Sequence, residues 1–328
     1  MTKNLNIAVW GYGVHAQRNI IPALLKSKKL NLYGICSRKK KSFFVKKNIN
    51  TIIWNSADEM LLDSKVDVIF LCVPISLHFK FGQKILQAGK HFWSEKSFTS
   101  KFQETKKIIN LSRKRKLTVA EGLMYKYHNQ FLWIQRFIKN KSLKTINARF
   151  MIPYKKTQEE KYNPLNEGNC VSILLDLGIY PISLSNKIVK LKNLDILFKC
   201  SEKNKRRNEI TQNIILSYDK KIIFNLAWGI DNSYKNEVEI LGKNWCLSTD
   251  RIFSKTESFK PSINLADKFG KRKMIKLTSE NHFEKMFNHF YHLTTNSKAA
   301  EVERIEILSL SKLCERIKKY KVDKIIGS

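Results

Sequence analysis

The sequence predicts an α/β fold in which a doubly wound parallel sheet is followed by an α+β domain with a mostly antiparallel, open-faced sheet. Three observations lead there. Up to about residue 122, short β-rich apolar runs alternate with amphipathic helical segments. Those runs lack the period-two alternation of half-exposed strands, so they suit strands covered on both faces. Beyond Leu123, strand-like segments follow one another instead of alternating with helices. The division expected is therefore 1–122, an α/β domain with a parallel sheet, and 123–328, an α+β domain.

Taken in order, strands are expected at 5–10, 31–36, 66–73, 91–95 and 117–121, with helices at 14–26, 56–62, 77–88 and 99–114 between them. Ala88-Gly89 carries the glycine signal of a helix C-terminus, and Arg113 to Lys116 place cations where a helix dipole favours them. In the second half, a helix at 125–139, a strand at 145–152 and a helix at 171–189 precede strands at 195–200, 211–218, 222–228, 237–241 and 245–248. Helices at 281–295 and 301–318 close the chain.

Composition narrows the function classes. The chain has 328 residues, 43% hydrophobic and 11% aromatic, enough for two cores of ordinary size. Lys and Arg number 61 against 28 acids, a formal charge of +33. The cations are spread along the whole length, so neither a nucleic acid nor a membrane is the expected partner; attraction for anionic substrates is the simpler reading. The start lacks a signal-peptide pattern, and the apolar stretch 66–77 is too short to span a bilayer, so a cytoplasmic protein is expected. The six cysteines, Cys36, Cys72, Cys170, Cys200, Cys246 and Cys314, are scattered without ligand spacing, and no metal site is expected.

The first chemical motif is Gly11-Tyr12-Gly13-Val14-His15-Ala16, directly after one expected strand and before a helix. In a Rossmann dinucleotide site the first glycine makes the tight turn and the second lets the backbone approach the pyrophosphate. The third small residue lets helix and strand pack closely. The second strand ends at Cys36 and is followed by Ser37, Arg38 and Lys39, with no acid to accept from ribose hydroxyls. A hydroxyl and a guanidinium suit a 2′-phosphate, so NADP(H) is expected in preference to NAD(H).

The stretch 72–97 resembles the Gfo/Idh/MocA oxidoreductase family, whose members carry (T/V)P-x-x-x-H, then AGKH, then a strand ending in EKP. Here Val73-Pro74 and His78, then Ala88-Gly89-Lys90-His91, then Glu95-Lys96 match in order. The resemblance implies that Lys96 lies beside the nicotinamide and Glu95 near the cofactor ribose, with Val73, Pro74 and His78 also lining the cofactor site. Ser97 replaces the family proline, whose peptide bond with Lys is typically cis, and this leaves cis and trans both open at Lys96–Ser97. Further on, Asp176-x-Gly178-x-Tyr180 is similar to the family's Asp-x-Gly-x-His/Tyr. It implies Tyr180 as general acid with Asp176 on the same helical face. Cys170, Val171 and Ser172 replace the glycines that often precede this motif.

Two other segments resemble the branch of nucleotide-sugar 3-ketoreductases and dihydrodiol dehydrogenases: Tyr125 and His128 in "MYKYH", and Tyr234, Asn236, Glu237 and Arg251 in "SYKNEVEILGKNWCLSTDRIF". Tyr125, His128, Asp176, Tyr234 and Asn236 are the implied substrate contacts. The expected activity is NADPH-dependent reduction of a sugar keto group, on a nucleotide-linked 3-keto-deoxysugar. An NADP-dependent dehydrogenase of a free sugar, polyol or dihydrodiol is one alternative, and a non-catalytic cofactor-binding regulator is another. Family resemblance also implies a homodimer or homotetramer.

Overall fold

The computed structural model describes residues 4–37, 51–154, 172–189, 194–204 and 209–326. The chain divides into two compact units, Met1–Leu123 with Phe283–Ser311, and Met124–His282 with Lys312–Ser328.

In the first unit, β1 (Leu5–Trp10), β2 (Leu30–Cys36), β3 (Ile52–Trp54), β4 (Val68–Leu71), β5 (His91–Glu95) and β6 (Val119–Gly122) form one sheet in the order β3-β2-β1-β4-β5-β6. Every described pair in it is parallel. Val68, Ile69, Phe70 and Leu71 are all fully buried, as a central strand covered on both faces requires. Strand order reverses beside β1, which puts the ends of β1 and β4 at the switch point where open α/β sheets bind ligands.

The helices of this unit follow the strands. Ala16–Ile20 is a π-helical turn continued by α1 (Ile21–Leu25), where an unbroken α-helix was expected. Ser56 caps α2 (Ala57–Leu62) by accepting from the Asp58 amide at 3.2 Å. α3 (His78–Gln87) and α4 (Phe102–Arg115) follow, and α4 stops at Lys116, whose φ is +55°.

The second unit opens with α5 (Asn129–Ile138) and β7 (Leu143–Met151), then a π-helical turn (Leu174–Gly178) running into α6 (Ile179–Ile188). Strands β8 (Leu194–Lys203), β9 (Glu209–Tyr218), β10 (Ile222–Gly229), β11 (Lys235–Gly242), β12 (Trp245–Asp250), β13 (Ser262–Asp267) and β14 (Arg272–Lys276) follow. After α7 (His282–Thr295) and α8 (Ser297–Lys319), β15 (Lys324–Ile326) adds the last strand. The nine-stranded order is β14-β13-β12-β11-β7-β10-β9-β8-β15, antiparallel except at β7–β10 and β8–β15. Ile179 through Ser185 are all buried, the mark of a helix covered all round rather than on one stripe. Gly178 makes that possible: a Cβ there would lie 2.6 Å from Cε2 of the fully buried Trp228.

The expected division at 122/123 assigned everything after it to one domain. The structure instead places Phe283–Ser311 with the first unit. The reason is aromatic and polar packing: Phe287 and Phe290 lie 5.2 Å from Phe70 and 5.4 Å from Trp93, and Ser311 Oγ is 2.9 Å from Thr105 Oγ1. Among the described residues, no helix is long and apolar enough to cross a membrane.

Candidate functional site

Gly11 sits at the end of β1 with φ +111°, and a Cβ there would stand 2.2 Å from the Cys72 carbonyl oxygen. Only glycine suits both the conformation and the approach. The Gly11 amide donates to Cys36 O at 3.0 Å, and the Cys72 amide donates to Trp10 O at 2.8 Å, which ties together the ends of β1, β2 and β4. At Gly13 an added Cβ would meet nothing within 4 Å, so the backbone faces open space. The Gln17 amide donates to Gly13 O at 3.1 Å as the helical turn begins. Ala16 is buried at 1% exposure, whereas Val14 is exposed at 62%. A tight glycine turn, an open backbone and a buried small residue fit a dinucleotide pyrophosphate. Ser37 follows β2 with its amide on Trp54 O at 3.1 Å, whereas Arg38 and Lys39 lie outside the described residues.

Lys96 leaves the carboxyl end of β5, and the residues around it are held on several sides. His15 Nε2 donates to Glu95 Oε1 at 3.0 Å, while Asn19 Nδ2 donates to His15 Nδ1 at 3.1 Å. Burial opposes the charged imidazole and the nearby Lys96 adds to that, but the Glu95 carboxylate outweighs both and raises the His15 pKa above 6.5. The Lys96–Ser97 peptide bond is cis. The Phe98 amide donates to Glu121 Oε1 at 2.8 Å, and Glu121 is itself buried. Beside the glycine turn, burial first and then the Glu95 charge push the Cys72 thiol well above its usual pKa, so it stays neutral.

His78 departs from expectation. Its ring is fully buried, with Nδ1 3.0 Å from Ser97 O and 3.2 Å from Phe98 O, and Nε2 3.0 Å from Val73 O. It offers no edge to a cofactor; it ties the loop after β4 to the loop after β5, and so positions Lys96. Burial lowers its pKa, against the opposing pull of those carbonyls. Pro74 precedes a 3₁₀ turn at Ile75–Leu77, and Val73 contributes that carbonyl.

In the second unit, Asp176 lies in the π-helical turn and Tyr180 one turn later, 9% and 6% exposed. Ser172 begins this turn, accepting from the Leu174 amide at its Oγ (3.2 Å) and from the Asp176 amide at its carbonyl (3.0 Å). Single π turns inside helices recur at functional sites. The Tyr180 ring packs 5.0 Å from Phe150 and 5.8 Å from Phe253, with its hydroxyl 3.9 Å from Met124 Sδ.

Three expected substrate contacts are used internally instead. Tyr125 is fully buried with its hydroxyl 2.8 Å from Ser183 Oγ. His128, equally buried, caps α5 by accepting the Gln130 amide at 3.1 Å. Asn236 is 3% exposed; its Nδ2 donates to Ser254 O at 2.8 Å and to the Tyr234 hydroxyl at 3.0 Å, and its Oδ1 accepts the Phe253 amide at 2.9 Å. Tyr234 remains 45% exposed beneath the Arg251 guanidinium, 5.8 Å from the ring. Glu237 is 3.5 Å from Arg149 and 3.4 Å from Lys235, a surface cluster.

Two residues, one in each unit, were not singled out from the sequence. Glu121 gave no motif, although a glutamate ending a buried strand is itself a signal of an internal acceptor. Lys255 Nζ donates to Ile252 O at 2.9 Å, and burial, against the pull of Glu280, takes its pKa down to about 7. In so lysine-rich a chain nothing distinguished it.

Similarity to known proteins agrees with this geometry. A dTDP-3,4-didehydro-2,6-dideoxy-alpha-D-glucose 3-reductase of Streptomyces violaceoruber is 22% identical over 276 residues, 80% of this chain and 77% of that protein. The structure superposes with a TM-score of 0.88 on a 3-ketoreductase from Actinomadura kijaniata in complex with NADP and TDP-benzene, at 20% identity over 99% of this chain and 100% of that one. It also matches an aldose-aldose oxidoreductase from Caulobacter crescentus complexed with glycerol, with a TM-score of 0.85 and 16% identity over 97% of each chain. These structural likenesses establish the fold. Residues 5–123 match the oxidoreductase family with an NAD-binding Rossmann fold. That match lies over the glycine turn and the Lys96 loop.

Proposed function

We propose that the protein is an NADPH-dependent reductase of a keto group on a nucleotide-linked sugar, specifically a 3-keto-deoxysugar. The observation that carries this reading is the fixing of Lys96. An ammonium at the carboxyl edge of a dinucleotide-binding sheet is anchored through Glu95, Ser97 and Phe98 by His15, His78 and Glu121. The dTDP-sugar reductase among its relatives supports the substrate class. Preference for the 2′-phosphate rests on Ser37 and Arg38 where an acid would serve NAD, and the NADP held by the 3-ketoreductase supports it.

In this reading Gly11, Gly13, Val14, His15, Ala16, Ser37, Arg38, Val73, Pro74 and Glu95 hold the dinucleotide, whose nicotinamide supplies hydride. Lys96 polarises the substrate carbonyl through its ammonium, and Tyr180 Oη–H donates the proton to the carbonyl oxygen. Asp176 orients the substrate hydroxyls, and Tyr234 offers an exposed ring to the nucleotide. The first unit is the cofactor domain; the second binds substrate and, through its open sheet, a second copy in a cytoplasmic homodimer or homotetramer.

The test is NADPH oxidation against a panel of dTDP-linked 3-keto-deoxysugars and free sugars. Turnover of the nucleotide-linked ketone is expected, reduced about 10²–10⁴-fold in Lys96→Ala and in Tyr180→Phe. Turnover confined to free sugars or polyols with NADP⁺ would replace this reading with the dehydrogenase. NADPH binding without turnover of any compound would leave a regulatory protein.

A further inference from the structure

A cavity of about 970 Å³ opens in the second unit, walled by the α5–β7 connection, the end of α6 and the β9–β10 turn. Tyr180 is the second residue of α6, whereas the cavity takes Lys187, Ile188 and Val189 from its far end. At 1.5 Å per residue the helix separates the two places by roughly 10–15 Å. The cavity is therefore distinct from the surroundings of Asp176 and Tyr180.

Its walls are strongly biased. Lys139, Lys141, Lys144, Lys187, Lys220 and Lys221 line it, and among the described residues no Asp or Glu does. The chain as a whole carries 61 basic against 28 acidic residues, about two to one, whereas the described charged lining here is basic throughout. Asp219, in the β9–β10 turn, is hydrogen-bonded with the Tyr218 side chain. Helix ends explain part of the charge: α5 and α6 both finish here, and their terminal carbonyls favour Lys139 and Lys187. Lys141, Lys144, Lys220 and Lys221 lie on turns and a strand start, where no helix dipole calls for them. The remaining wall is apolar, with Ile138, Leu143, Ile188 and Ile222, and Tyr218 contributes a ring. Small-molecule sites span about 300–1,000 Å³ and combine an apolar lining with a few convergent polar groups, whereas a nucleic acid would need an extended basic track.

We propose that this cavity binds a small organic polyphosphate, a molecule with two or more phosphate groups on an apolar or aromatic body, at a site separate from the keto-sugar site. Clustered ammonium groups hold the phosphates, and the isoleucines and Tyr218 cover the body. The inference does not rest on the reductase reading.

ADP and inorganic pyrophosphate serve as probes, titrated by calorimetry into the full-length protein with one equivalent of NADPH bound to fill the dinucleotide site. Lys144 and Lys221 are both exposed, and the variant Lys144→Glu/Lys221→Glu is compared with wild type by melting temperature first. The expected result is saturable ADP binding, tighter than pyrophosphate, that weakens at least tenfold in the double variant while NADPH affinity stays unchanged. ADP binding unaffected by the double variant, or no saturable binding, would overturn the proposal. Displacement of ADP by a far more tightly held oligonucleotide would overturn it in favour of a nucleic-acid surface. Absence of keto-sugar turnover, by contrast, would sink only the reductase reading and leave this titration as it stands.

Discussion

Replacing His78 by leucine tests how Lys96 is held. The ring is fully buried and faces three carbonyl oxygens at 3.0, 3.2 and 3.0 Å. Burial lowers its pKa, so near neutral pH the ring carries one N–H and donates to one side. Leucine fills similar volume and donates nothing, leaving a buried carbonyl without its donor at a cost of about 1–3 kcal/mol. In a protein of 328 residues, with an unfolding entropy of about 2.1 cal/mol/K per residue, that lowers the melting temperature by about 1.5–4.5 °C. Because Ser97 is the next residue after Lys96, the proposed function also has kcat/KM for the keto-sugar fall, by about tenfold for each 1.4 kcal/mol of lost transition-state stabilisation. Calorimetric melting at constant pH, paired with NADPH titration, reads both effects. A variant that melts like wild type but binds NADPH much more weakly would show the ring meeting the cofactor and would refute the positioning role.

Three other outcomes follow from local geometry. Gly178→Ala forces a methyl to within 2.6 Å of Trp228, and overpacking there costs about 1–3 kcal/mol; an unchanged denaturation midpoint would mean that α6 does not press on β10. His91 Nδ1 accepts the Thr118 amide at 2.9 Å, and burial takes its pKa to about 4. The unfolded chain therefore binds more protons between about pH 6.5 and 4, and stability falls as pH drops through that window. His91→Asn keeps an acceptor and removes the titration, so its stability is flatter over the same range; parallel curves for variant and wild type would contradict this. Glu95→Gln removes the charge that raises the His15 pKa, so an NMR titration of His15 should show a lower midpoint than in wild type. The sign follows: the His15–Glu95 interaction favours the fold most fully below pH 6.5 and loses that contribution as pH rises through the raised value.

Much of the first unit was legible because buried parallel strands leave unbroken apolar runs: β1 and β5 have the expected bounds. β3 escaped because Ile52–Trp54 is only three residues long, β13 because Ser262–Asp267 is short with only two large apolar side chains, and β14 because its lysine-rich, largely exposed sequence hides the strand pattern. The motifs located the right neighbourhoods but not the work of each side chain. His78, Tyr125, His128 and Asn236 all lie near candidate chemistry, yet their polar atoms face backbone amides, carbonyls or the hydroxyls of Ser183 and Tyr234. A motif records which residues occur together, and a staple recurs as faithfully as a ligand contact. The π turns at Ala16–Ile20 and Leu174–Gly178 also left no trace in the sequence, since one extra residue in a turn barely alters helical periodicity.

In the proposed function, Lys96 and Tyr180 act on one carbonyl. Single-turnover reduction of a dTDP-linked 3-keto-deoxysugar by NADPH-loaded wild type, Lys96→Ala, Tyr180→Phe and the double variant tests it most directly. The double variant should be about as slow as the slower single variant, because groups acting on one transition state are not additive. Rate losses that simply multiply, or a single variant with wild-type turnover, would contradict it.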